Sequence, residues 1–383
     1  MQPDLKKYEL DVLTKLISMD TVSKTGKSLV NCYEYLKKEM EGISHVQTIY
    51  GSDGTRNLLA DVNGIGPRIL VAAHYDVVPA GTGWTYNPFE ANVEGDKVFG
   101  RGSADDKGGV AVALALLGAS NGRWNLTVAL TGDEEVGGEN GLNAVIGKTG
   151  KAYDIAIILD SFSKEVHCGA SGVVSGKIIV KGRGGHAGYP YLSDNPIYKL
   201  PEVISRLKKF SELREEKLSA LKAPAGSPKV KVWGRFTPTV IEAGDRTNVI
   251  PNEAVIKFDM RLLPDEDRDA AFEELKSFIG SLSAVELAEV KGGGNYFTDP
   301  RTPIVSAFTS YILERLDSKE CVGELGGDDG KYSSKAGIPT VGYGVIDDDS
   351  NIHGANEFVR LSTMMKVTEN MAGALDKLAA LNF

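Results

Sequence analysis

Three short runs constrain this chain more than any other feature: Arg68-Ile-Leu-Val-Ala-Ala-His74, Asn125-Leu-Thr-Val-Ala-Leu-Thr131 and Tyr153-Asp-Ile-Ala-Ile-Ile-Leu159. Each is apolar at successive positions, so both of its faces must be covered. Helical spacing lies around and between them: Leu5, Tyr8, Val12, Leu13, Leu16 and Ile17, then residues 29–40, residues 108–119 and a shorter stretch near 142–146. Strand, helix, strand is the pattern of an α/β fold. The expectation is a mostly parallel central sheet with helices on both faces.

After Gly172 the texture changes. Residues 173–181, 229–240 and 253–262 alternate like half-exposed strands, and charged helical patterns intervene at 196–221 and 265–281. Ala223-Pro-Ala-Gly-Ser-Pro228 reads as a loop and Lys291-Gly-Gly-Gly294 as a linker, after which helix, strand and helix resume from Pro303. The expected organisation is one α/β catalytic domain, 1–172 and 291–383, interrupted by an α+β lid at 173–290. At roughly 150 residues per domain, two domains suit a chain of 383 residues.

Composition then excludes partners. Lys and Arg number 43 against 52 Asp and Glu, a net charge of −9 with no basic block, which disfavours nucleic acid and anionic membrane. The longest apolar run, 110–117, is far short of the ~20 residues that span a bilayer, and the N-terminus has no export-signal pattern. Cys32, Cys168 and Cys321 are odd in number and far apart, so neither a disulfide framework nor a zinc ribbon fits, and a reducing cytoplasm is the expected compartment. With five histidines in the whole chain, any metal site must draw mostly on carboxylates.

Those carboxylates stand where ligands bind an open α/β sheet, outside the carboxyl ends of strands. The three runs lead to His74 and Asp76, to Glu134-Glu135 and to Asp160. Gly100-Arg-Gly-Ser-Ala-Asp105-Asp106-Lys-Gly-Gly109 adds a further acid just before a helix. A carboxylate two residues from His74 can fix its tautomer, and adjacent glutamates can divide into ligand and general base. Each feature alone has a bland reading, as a satisfied core histidine or a solvated acidic turn.

Taken with Trp84, Pro88-Phe89 and Asn351-Ile-His353-Gly-Ala-Asn-Glu357, these segments resemble the di-zinc peptidase and deacylase family that includes acetylornithine deacetylase, succinyl-diaminopimelate desuccinylase, aminoacylase and glutamate carboxypeptidase. The resemblance covers nearly the whole chain. It implies two zinc ions, with cobalt or manganese as substitutes. His74 and Asp160 would hold one, Glu135 and His353 the other, Asp105 would bridge them, Glu134 would be the general base and Asp76 the partner of His74. A shared carboxylate offsets the repulsion of two close cations, and imidazole with carboxylate is an ordinary zinc ligand set. The resemblance also implies a cis peptide at Asp105-Asp106 and homodimerisation through the inserted domain. His186 of Gly184-Gly-His186-Ala-Gly-Tyr189 would stabilise the oxyanion, in cis or from the partner subunit, while Tyr189, Asn248, Arg261 and Lys331 would contact substrate. Turn capping and a surface ion pair are the bland readings of Asn248 and Arg261.

Two positions depart from the family pattern. Lys331 stands where the family usually has Arg and cannot make its bidentate fork with a carboxylate. Asp160 stands where many deacylases have Glu and is commoner in aminopeptidase-like and dipeptidase members. The expected substrate is an N-acyl amino acid or short peptide, with deacylase and dipeptidase or carboxypeptidase activity both open, and a non-catalytic binding protein as the reading of another class. Other motifs fail on context: Gly182-Arg-Gly184-Gly-His-Ala187 lacks a following helix for a dinucleotide, and Gly147-Lys148-Thr149 has Leu142 where a phosphate loop needs glycine. Gly169-Ala-Ser171-Gly172 has Val173 where a nucleophile elbow needs glycine, and His45 and His167 match no motif.

Overall fold

The computed structural model describes residues 5–280 and 282–381. Residues 1–4 of the N-terminal stretch and Ser281, at the end of the helical pattern 265–281, lie outside the described residues. The chain divides into two compact units, one drawn from Met1–Gly169, Phe297–Val322 and Asp328–Phe383 and the other from Ala170–Tyr296 and Gly323–Gly327. Among the described residues no helix is long and apolar enough to cross a membrane.

In the first unit, β1 (Val46–Tyr50), β2 (Arg56–Val62), β3 (Ile65–His74), β4 (Trp124–Thr131), β5 (Ile155–Ile158) and β6 (Thr340–Gly342) follow the order β1-β2-β4-β3-β5-β6. The pairs β4–β3, β3–β5 and β5–β6 are parallel, and β1 and β2 add an antiparallel edge. This is the mixed α/β fold with a mostly parallel sheet that the three apolar runs call for. Period-two alternation sends Leu70 and Ala72 of β3 to one face, where they pack with Leu142 and Val145 of helix Leu142–Thr149. Against the other face lies helix Lys107–Ser120, itself contacted by helices Leu5–Ile17 and Leu361–Ala379. Because 12 of its 14 residues are buried, that helix is apolar nearly all round, as an interior helix must be.

One acid is buried in this helical layer. Glu9 of the first helix is fully buried and accepts a hydrogen bond from Thr368 Oγ1 of the last at 2.5 Å. Burial pushes its carboxyl up to about 7, the Thr368 hydroxyl opposes this, and the Glu369 charge adds to it. The folded state therefore holds a proton that the unfolded chain releases near 4.5, and stability falls as pH rises from that value to about 7. Glu9→Gln removes this slope. From pH 5 to pH 8 the melting temperature of the variant should gain on wild type by about 3 °C, corresponding to about 2.5 kcal/mol; parallel melting curves would count against a buried neutral Glu9.

The second unit carries a four-stranded antiparallel sheet in the order Arg235–Ala243, Glu253–Arg261, Val173–Lys181, Val285–Gly293. Helices Leu200–Glu216 and Arg268–Ile279 add Leu207, Phe210 and Leu275 to its core, beside Ile178, Ile256 and Phe258. Two expectations are corrected here. The helical pattern at 196–221 divides into a 3-10 turn, Pro196–Lys199, helix Leu200–Glu216 and strand Leu218–Lys222. In that strand Ser219 and Leu221 are buried between exposed neighbours, a period of two. The glycine run at 291 is no linker, since Lys291, Gly292 and Gly293 pair with Ser175, Val174 and Val173. Gly292, at φ 108°, runs so close to Val173 that an added Cβ would lie 2.0 Å from its carbonyl oxygen.

Candidate metal centre

Strand register gathers the acids. His74 closes β3 opposite Thr131 of β4, and Ala72 lies opposite Ile158 of β5, so Asp160, two residues past Ile158, emerges level with His74. From β4 the chain passes through Gly132 and Asp133 into the short 3-10 turn Glu134–Val136. Asp105 arrives from the loop before helix Lys107–Ser120, and the Asp105-Asp106 peptide is cis, as the resemblance implied.

Asp105 stands between two imidazoles. Its Oδ1 is 3.1 Å from His74 Nε2 and its Oδ2 is 3.1 Å from His353 Nε2. His353 Nε2 is also 3.2 Å from Glu135 Oε2, and His74 Nε2 is 3.8 Å from Asp160 Oδ2. Two sets of donor atoms result, His74 with Glu134 and Asp160, and Asp105 with Glu135 and His353, each within 4.8 Å of one another. An ion held about 2.0–2.2 Å from nitrogen and oxygen donors fits such a spacing.

The charge balance also suits cations. Burial pushes the Asp160 and Glu134 carboxyls well up, and nearby acids add to the shift: Asp105 for Asp160, Asp329 for Glu134. Hydrogen bonds to Asp105 and Glu135 push the His353 imidazole up to about 10. His74 is also raised, because Asp105, Asp76 and Asp160 outweigh the burial that opposes its charge. Burial alone would raise Asp105, but its two imidazoles hold it below the usual carboxylate range. Protons thus supply positive charge that divalent ions would replace.

Asp76 acts on both sides of the cluster. His74 Nδ1 lies 3.0 Å from the Asp76 main-chain carbonyl and 3.5 Å from its carboxylate. The carboxylate accepts from the Glu134 amide at 3.2 Å, the Glu135 amide at 3.3 Å and the Ser23 hydroxyl at 2.6 Å. It therefore ties the imidazole to the glutamate turn, as an outer partner of a metal ligand does.

Two further acids escaped the sequence reading. The Asp106 carboxylate accepts from the His74 amide at 3.2 Å, a contact foreshadowed only by its place beside Asp105. Asp329 is buried with neither carboxylate oxygen hydrogen-bonded, and burial pushes it up to about 7. Gly138, at φ 73°, makes room for it: a Cβ there would lie 1.9 Å from Asp329 Oδ1. The loop sequence Gly326-Gly-Asp-Asp-Gly-Lys331 contains Asp329 but does not distinguish it from Asp328.

Lys331 belongs to this unit, its Nζ 4.0 Å from Asp329 Oδ1. The other expected substrate contacts lie in the second unit. His186 is exposed on a two-residue strand paired with Val249–Ile250, its Nδ1 accepting from the Gly188 amide at 3.0 Å and its ring 5.5 Å from that of Tyr189. Asn248 is exposed and its carbonyl accepts from the Ala187 amide, while Arg261 pairs with Asp259 at 2.8 Å. Both donor sets come from the first unit alone.

The sequence profile of peptidase family M20/M25/M40 matches residues 70–377. A succinyl-diaminopimelate desuccinylase of a Sulfurovum species is 27% identical over 376 residues, spanning 94% of this chain and 96% of the relative. Among solved structures, an M20 family metallo-carboxypeptidase from Sulfolobus solfataricus superposes with a TM-score of 0.77 at 21% identity, covering 97% of this chain and 99% of that one. A di-peptidase from Saccharomyces cerevisiae gives 0.73 at 18% identity, covering 99% and 97%.

Proposed function

Because the chain belongs to peptidase family M20/M25/M40, it is a metal-dependent hydrolase, and we propose that it is a di-zinc deacylase cleaving the amide of N-acyl amino acids. The observation that carries the metal reading is the Asp105 carboxylate held between His74 and His353, with Asp160 and Glu135 beyond them. The substrate reading rests on the desuccinylase relative, which spans nearly the whole chain.

Imidazole and carboxylate donors suit zinc, with cobalt or manganese as substitutes. His74 and Asp160 would hold one such ion, Glu135 and His353 the other, with Asp105 shared; bound there, the ions would polarise the amide carbonyl and lower the pKa of water. Glu134 receives the proton of the attacking water and returns it to the leaving amine nitrogen, so one water is consumed and a carboxylate and an amine are released. Asp76 fixes the Glu134 main chain while this happens. His186 donates to the oxygen on which negative charge develops. Lys331 offers a point charge to a substrate carboxylate, with Arg261, Asn248 and Tyr189 as further contacts. Pairs of chains meet through the second unit, where Tyr189, Tyr191, Leu192 and Tyr198 expose apolar surface.

Protein prepared without chelator should carry close to two zinc ions per chain, sediment at twice the monomer mass, and hydrolyse N-succinyl- or N-acetyl-amino acids faster than dipeptides. Faster cleavage of dipeptides or C-terminal residues would give the site to a peptidase, a reading favoured by Asp160. Full metal loading without amide hydrolysis would overturn the proposal.

A further inference from the structure

A buried ion pair stands beside the proposed metal centre without contributing a donor to it. The Arg101 and Glu357 side chains are each 1% exposed, and Arg101 Nη1 donates to Glu357 Oε2 at 2.6 Å. Burying such a pair gains little over apolar packing of equal volume, so stability alone does not account for it. Its remaining contacts do. Glu357 accepts from the amides of Gly102 at 3.0 Å, Ala104 at 3.0 Å and Asp105 at 3.1 Å, the loop that delivers the bridging carboxylate. Arg101 Nη2 donates to the carbonyls of His353 at 3.1 Å, Ala80 at 3.3 Å and Pro79 at 3.4 Å, and its guanidinium carbon lies 5.2 Å from the centre of the Trp84 ring.

The loop carrying His353 needs such a hold. Asn351, His353 and Asn356 have φ of 54°, 61° and 59°, the left-handed region that residues with a Cβ disfavour. Three such residues within six positions make a path that persists only when its surroundings over-determine it. Arg101 fixes the middle one by its carbonyl, and the Thr85 amide fixes the last by donating to Asn356 Oδ1 at 2.7 Å.

We infer that Arg101 and Glu357 are positioning residues forming one latch, which sets the Asp105 main chain against that of His353 and so pre-forms the donor set of Asp105, Glu135 and His353. The inference rests on the metal-centre reading. Through Asp105 the latch reaches the shared carboxylate, yet His74 closes β3 and Asp160 follows the paired residue Ile158 of β5 by two positions, neither touching the latch, so its loss falls unequally on the two ions.

The test is a titration of chelator-stripped protein with zinc alone, in competition with a chromophoric chelator, for wild type, Glu357→Gln and Arg101→Lys. Glu357→Gln removes the charge and one of two acceptor oxygens; Arg101→Lys keeps the buried charges paired but loses the fork, and serves if the first variant does not fold. Wild type should bind two ions. Each folded variant should bind one with little loss and the other about 10- to 100-fold more weakly. Saturating zinc should restore its kcat, since neither residue touches substrate. Unchanged binding of both ions, or equal weakening of both, overturns the latch. A wild-type protein that binds no zinc instead overturns the metal reading beneath it.

Discussion

Glu134→Gln is expected to lower kcat by roughly a hundred- to ten-thousand-fold while both metals stay bound. Gln keeps the shape of the side chain and its place on the Asp76-anchored turn, but it cannot take a proton from water. Geometry alone leaves Glu134 two roles, because one of its oxygens lies within 4.8 Å of the His74 and Asp160 donors and could serve as a third ligand. Metal content separates them. A ligand lost to Gln lowers zinc towards one per chain, whereas a lost base leaves two ions and a slow enzyme. KM should change little, since the proton moves only as the amide is attacked. A variant with wild-type kcat would remove Glu134 from the chemistry.

The gathering of these acids and His74 at one rim was legible in the sequence for a physical reason. A strand buried on both faces shows itself as an unbroken apolar run, and in a parallel sheet the residues just beyond several such runs share one rim. That placed His74, Glu134, Glu135 and Asp160 together at one rim, whereas their division into metal ligands and general base, and the pairing of Asp105 with His353, needed the family resemblance. What stayed hidden depends on exposure or on distance along the chain. The strand Val285–Gly293 has no fully buried residue and ends in glycines, so no alternation marked it. Strand Leu218–Lys222 follows a charged helix with no proline or glycine between them, and its short alternation was absorbed into the helical pattern. Arg101 and Glu357 are 256 positions apart and act mainly on main-chain amides and carbonyls, which carry no residue identity for a sequence to display.

Asp105→Asn should disturb both donor sets of the centre at once. The amide is nearly isosteric, but it is neutral and offers one oxygen where the carboxylate offers two, at 3.1 Å from His74 Nε2 and 3.1 Å from His353 Nε2. With no shared charge to offset their repulsion, two ions cannot be held close together, and zinc should fall from two per chain to one or fewer. Turnover should fall with it by roughly a thousand-fold or more, since carbonyl polarisation and water activation would be lost together. A second readout needs no metal. In the stripped protein Asp105 is the first cause of the raised His353 imidazole, with Glu135 second, so the variant's His353 should titrate clearly below about 10 by NMR. The sign follows from the pairing: removing an anion that favours the protonated ring releases its proton at lower pH. Two zinc ions bound at wild-type affinity, or a His353 midpoint that does not move, would show that Asp105 does not join the two halves of the centre.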